Sequence, residues 1–130
     1  MSAYELTVIS RFHSEEEQIS IIPVARATLH RGATELFYEY QGDLVKIRFD
    51  GQGFVMKRTG KVGYCLSVSK SGGFLRLSEG GTSGETPLVT DFYAMQDSYN
   101  VAFEYHYESM GDDKSQRENI KLFLKKSEEK

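Results

Sequence analysis

The chain has 130 residues, 16 Lys and Arg against 19 Asp and Glu (net charge −3), 27% charged residues and 12% aromatics. That length suits one domain burying roughly two-thirds of its unfolded surface, and the aromatic content argues against disorder. The longest apolar run, Ile21 to Ala25, is too short for a membrane-spanning helix, so no membrane segment is expected. The net charge is also of the wrong sign for general polyanion binding, which makes nucleic acid an unfavoured partner.

Val, Ile, Thr, Phe and Tyr supply 37 residues and Ala only six, a composition that fits a pleated, half-buried surface. Period-two alternation then recurs along the chain. Tyr4, Leu6, Val8 and Phe12 share one face of a first strand. Ser14 to Gln18 reads as a polar turn, and Ile19 to Leu29 as a second strand. Pro23 has no amide donor, so it belongs at an edge or a bulge. Arg31-Gly32-Ala33 turns the chain into Leu36, Tyr38 and Tyr40. Gln41-Gly42-Asp43 is a tight turn before Val45, Ile47 and Phe49. Asp50 to Gly53 reads as a hairpin loop longer than two residues. Phe54 to Thr59, Tyr64 to Val68 and Phe74 to Ser78 continue the pattern, and Gly80 to Pro87 reads as a flexible loop.

In the last third, Leu88 to Met95 is a strand and Asp97-Ser98 a turn. Tyr99, Val101, Phe103, Tyr105 and Tyr107 line one face of the next strand. Met110 to Lys114 is a polar connector, and Ile120, Leu122 and Leu124 alternate with lysines in a final strand before a frayed charged tail, Lys125 to Lys130. Short strands at spacings of about eight to twelve residues predict an all-β, antiparallel, mostly up-and-down barrel of about eight to ten strands. The barrel spans residues 1–130 as one domain, and closure removes exposed edges. One cysteine, Cys65, and no secretory leader pattern give the expectation of a reducing, cytoplasmic setting.

The chemistry-bearing residues are few. The stripe Tyr99, Phe103, Tyr105 and Tyr107 is either packed core or the wall of a ligand pocket, since tyrosine packs its ring while its hydroxyl seeks a partner. Arg58 falls in phase with Phe54 and Met56. Facing inward, it must pair with an acid or bind an anion, and Asp91 and Glu104 are the candidate partners. Lys46, Arg48 and Lys57 read as a solvated outer face. Glu104, His106 and Glu108 share a strand face at alternate positions, a weak metal pattern beside an ordinary exterior. Gly80 to Gly84 lacks the spacing of a nucleophile elbow and the Gly-Lys-Ser/Thr ending of a phosphate loop. No catalytic constellation, metal site or cofactor motif is expected. The leading expectation is a barrel that binds a small, partly apolar ligand with an anionic group. The alternative is a protein-interaction module using a strand edge near Pro23 or the Gly80–Pro87 loop, and the oligomeric state is open.

Arg58-Thr59-Gly60 ends one strand, Thr86-Pro87 opens the strand carrying Thr90, Tyr105 sits in an alternating strand and Asn119 opens the last. In this order, over residues 35 to 125, the chain resembles the YwiB-like family of small bacterial proteins. The resemblance implies a calycin-like (lipocalin-resembling) β-barrel with no assigned function and no catalytic residue to carry over. It marks Arg58, Thr90 and Tyr105 as interior polar positions. Asp91 and Phe92 depart from the family pattern.

Overall fold

The computed structural model describes residues 2–12, 16–30, 32–79, 82–108 and 117–126. Ten strands follow one another: β1 (Ser2–Phe12), β2 (Gln18–His30), β3 (Ala33–Tyr40), β4 (Asp43–Asp50), β5 (Gly53–Thr59), β6 (Gly63–Ser69), β7 (Gly72–Glu79), β8 (Thr82–Asp97), β9 (Asn100–Tyr107) and β10 (Glu118–Lys126). Each pairs antiparallel with the next, and β10 returns to β1 to close the ring. The predicted all-β, antiparallel up-and-down barrel is the observed fold, at the upper end of the expected strand count.

Strict alternation sets the register, because a slip by one residue would send every apolar side chain outward. In β4, Val45, Ile47 and Phe49 are buried while Leu44, Lys46 and Arg48 are exposed. The β3–β4 turn holds Gln41 and Gly42 at φ 52° and 84°. Two left-handed residues match the twist of the flanking strands, and glycine carries the second without strain. At the opposite end, Asp50 closes β4–β5 by accepting the backbone N–H groups of Gln52 and Gly53 at 2.8 and 3.0 Å. That loop is only Gly51-Gln52, shorter than the sequence suggested.

Three further expectations change. Thr82 to Pro87 is strand, hydrogen-bonded to β7 with Thr86 opposite Leu75 and Pro87 opposite Phe74. Local Gly, Ser and Pro content lost to tertiary pairing, and Pro87 is tolerated because β9 pairs with β8 only from Leu88 onward. As expected, Pro23 lies in a bulge, where β1 residues Tyr4 and Leu6 face Ala25 and Ile22. Tyr99 sits in the β8–β9 turn, so the inward stripe begins at Val101. Lys125 and Lys126 belong to β10. His13, Arg31, Gly80-Gly81, the Met110 to Lys114 connector and the tail beyond Lys126 lie outside the described residues.

Candidate functional site

The two ends of the barrel are packed differently. At the end carrying the β4–β5, β6–β7 and β8–β9 turns, Phe49, Phe54, Phe103, Leu36 and Val101 are fully buried. Phe54 and Phe103 lie with ring centroids 4.6 Å apart, and Tyr93 stacks on Phe103 at 6.3 Å. Tyr93 donates to the Asp50 carbonyl at 2.6 Å, and the Thr34 hydroxyl to the Ser98 carbonyl at 2.7 Å. These bonds let polar atoms close an apolar plug without being left unpaired.

The other half is hollow. A chamber of about 350 Å³ is walled by aliphatic residues including Leu66, Leu75, Ile120 and Leu122, with Tyr105, Tyr107, Ser10 and Glu118 as its polar points. A second chamber of about 170 Å³ lies beside it, between Ser20, Ile22, Tyr38, Tyr40 and Arg58. Val8, Met56 and Tyr64 line both, so the two chambers adjoin in the same half of the barrel. The smaller chamber sits where the wall parts. Pairing of β2 with β3 stops at Arg26 opposite Phe37, so Tyr38 and Tyr40 lack β2 partners, and the bulge at Pro23 directs β2 away.

Arg58 is held by a built device. Its Nε donates to Asp43 Oδ2 at 2.8 Å, with side-chain exposures of 13% and 4%. Asp43 also accepts the backbone N–H groups of Lys61 and Val62 at 2.9 and 3.2 Å. These bonds, that from Lys61 foremost and then that from Arg58, hold the Asp43 carboxyl below its ordinary pKa of 3.8 against the opposing effect of burial. Gly60 makes the arrangement possible: at φ 149°, a Cβ there would collide with the Asp43 carboxylate. The guanidinium lies over the Tyr40 ring at 5.2 Å. Its Nη1 and Nη2 have no acceptor among the described residues, and the residue lines the smaller chamber.

Across the hollow, Tyr105 donates its hydroxyl to Glu118 Oε2 at 2.5 Å. Burial raises the pKa of Tyr38, Tyr64, Tyr105 and Tyr107 above the ordinary phenol value, so all four remain neutral hydrogen-bond donors at neutral pH.

The predicted site residues therefore divide. Arg58, Tyr105 and Tyr107 line the hollow. Phe103 is core in the filled half. Tyr99, 42% exposed and tilted against Tyr4, lies at the closed end and is no part of the pocket. Thr90 faces inward opposite Tyr105 but does not line either chamber, and its Oγ1 is buried without a protein partner among the described residues. The partner of Arg58 is Asp43, in place of the expected Asp91 or Glu104. The β8 bulge turns both Asp91 and Phe92 to the outer wall, where Asp91 meets His106 at 2.8 Å and Arg117 at 3.2 Å. His106 is buried at 3% exposure rather than solvated, and no metal-binding group of three forms among the described residues.

Lys46, Arg48 and Lys57 lie on the outer wall as expected, Lys46 directly opposite Lys57. Arg48 pairs with Asp50 at 2.9 Å. Sequence reasoning missed Asp43 and Glu118 as interior residues. Both were legible in phase, Asp43 with Val45 and Ile47, and Glu118 with Ile120 and Leu122.

The chain matches no protein-family model and no curated protein by sequence. Among solved structures, the fold is similar to that of the ywiB protein from Bacillus subtilis. The TM-score is 0.63 at 9% identity, over 97% of this chain and 91% of that one. The likeness supports a YwiB-like fold.

Proposed function

We propose that this protein is a calycin-like binding barrel that takes a small, largely apolar ligand into its hollow end and fixes an anionic group on Arg58. The observation that carries this reading is Arg58 itself, anchored to Asp43 through Nε while its side chain lines the hollow half of the barrel. Guanidinium forks match carboxylate and phosphate oxygens in pairs. The larger chamber falls within the range of ligand pockets, about 300–1,000 Å³, and its wall has the usual character of aliphatic surface with a few placed polar groups. No nucleophile–base pair accompanies these groups among the described residues, so the reading is binding without turnover.

The test is isothermal titration with a carboxylate series from hexanoate to dodecanoate, on the wild type and on Arg58→Met. Binding with an optimum chain length, weakened at least tenfold by the substitution, is the expected result. Absence of binding across the series, or equal binding by a folded Arg58→Met protein, overturns it.

The alternative of a protein-interaction edge has one observation in its favour. The β2 segment Gln18 to Val24 pairs with β1 only and exposes Ile19 and Ile21 at 62% and 60%. It predicts self-association that Ile21→Lys abolishes, read by sedimentation.

A further inference from the structure

We infer that the head of the ligand is a carboxylate and that the Tyr38 hydroxyl is its second anchor, with one carboxylate oxygen on Arg58 and the other on Tyr38. This rests on the binding reading above and names the head-group class of the same site.

Register brings the two residues together. Tyr38 in β3 stands opposite Val45 in β4, and Val45 stands opposite Arg58 in β5. At about 4.8 Å per strand, Tyr38 and Arg58 are rooted about 10 Å apart, with the short Val45 side chain between them. The inner wall of a barrel is concave, so long side chains rooted on it converge toward their tips. Arg58 also leans across β4. Its guanidinium lies 5.2 Å from the ring centroid of Tyr40, which is two residues beyond Tyr38 on β3. Tyr38, Tyr40 and Arg58 all line the smaller chamber.

Tyr38 is a buried phenol, 7% exposed, whose hydroxyl makes no hydrogen bond to the described residues. Tyr93 and Tyr105, buried to the same degree, donate to the Asp50 carbonyl and to Glu118. A buried tyrosine hydroxyl ordinarily has such a partner. The protein gives Tyr38 none, so its acceptor comes from the occupant of the chamber. Burial keeps this phenol neutral, and hence a donor, although the charge of Arg58 acts on it in the opposite sense.

The charges select the head group. Among the described residues, Arg58 is the one cation lining either chamber. A carboxylate brings one negative charge and two oxygens, which one guanidinium and one hydroxyl match. A phosphate monoester carries about −1.5 to −2 at pH 7. Its second charge would enter a half-apolar chamber without a counter-charge, an unfavourable placement.

The test titrates octanoate and octyl phosphate into the wild type at pH 8, and octanoate into Tyr38→Phe and Arg58→Met, with urea unfolding of each protein. Octanoate is expected to bind the wild type at least tenfold more tightly than octyl phosphate. Loss of a hydrogen bond to a charged group should weaken octanoate binding about tenfold or more in Tyr38→Phe. The urea midpoint of that variant should be unchanged or higher, because its hydroxyl has no protein partner to lose. A tyrosine that merely supported the fold would lower midpoint and binding together, and that result overturns the inference. So does octanoate binding to Tyr38→Phe as tightly as to the wild type, or octyl phosphate matching octanoate. If Tyr38→Phe does not fold, the comparison of head groups in the wild type decides. In each of these cases weaker binding by Arg58→Met leaves the acid-binding reading standing. If octanoate does not bind the wild type, both fall.

Discussion

A barrel filled at one end and hollow at the other answers differently to the same added ring. Leu75 is partly buried and lines the larger chamber, whereas Val101 is buried in the filled half with 2% exposure. Enlarging Val101 to Phe forces atoms into a site with no room, which costs about 1–3 kcal/mol through displaced side chains. Leu75→Phe directs its extra carbons into about 350 Å³ of open chamber. If the ring buries some 30–40 Å² more apolar surface than leucine, the gain is up to about 1 kcal/mol. The two variants should therefore differ by about 1–4 kcal/mol, the sum of a cost at one end and a gain of zero to one at the other. Urea unfolding with both midpoint and slope recorded measures this, since an unchanged slope certifies a change in stability alone. Leu75→Phe should also abolish carboxylate binding. Equal destabilisation by the two substitutions would refute the division of the barrel into filled and hollow halves.

Other outcomes follow from the same geometry. Gly60→Ala places a Cβ against the Asp43 carboxylate, so it should weaken carboxylate binding about as much as Arg58→Met, although it removes no lining residue; unchanged titration would contradict the role of Asp43 in holding Arg58. Gly73→Ala brings a Cβ onto the Ser67 carbonyl of the neighbouring strand, whereas Gly51 has open space around it. The first should lower the urea midpoint sharply and Gly51→Ala hardly at all. Asp43 has a lowered folded-state pKa, so the unfolded chain takes up its proton first as pH falls. Its contribution to stability is complete above the ordinary value of 3.8 and is lost as pH falls through the folded value. Asp43→Asn should thus be less stable at neutral pH and show a shallower acid limb, and an acid limb identical to wild type would remove Asp43 from the account.

Much of the architecture was legible because alternation is a local signal that the barrel uses literally. Val45, Ile47 and Phe49 predicted their own burial, and Pro23 predicted its bulge. What escaped was set by pairing between distant segments. Thr82 to Pro87 is strand because β7 supplies a partner, which Gly and Pro content cannot report. Tyr99 shares the spacing of the aromatic stripe, but Asp97 accepts its backbone N–H at 2.7 Å and fixes it in the turn. Arg58 was correctly placed inside from its phase. Its partner was not found, because Asp43 looks like an ordinary turn residue until the β5–β6 turn brings Lys61, Val62 and Gly60 around it. Phase separated inward from outward residues, but not the filled half of the barrel from the hollow one. Phe103 and Tyr105 stand two residues apart on one face, and only the three-dimensional packing distinguishes a core ring from a pocket wall.

Methyl chemical-shift mapping during titration with octanoate reads out directly whether the hollow end of the barrel binds an acid. Saturable shifts are expected at Met56, Leu66, Leu75, Ile120 and Leu122, with Leu36, Val101 and Leu124 unmoved. Shifts confined to the exposed Ile19 and Ile21, or none at any methyl, would contradict acid binding there.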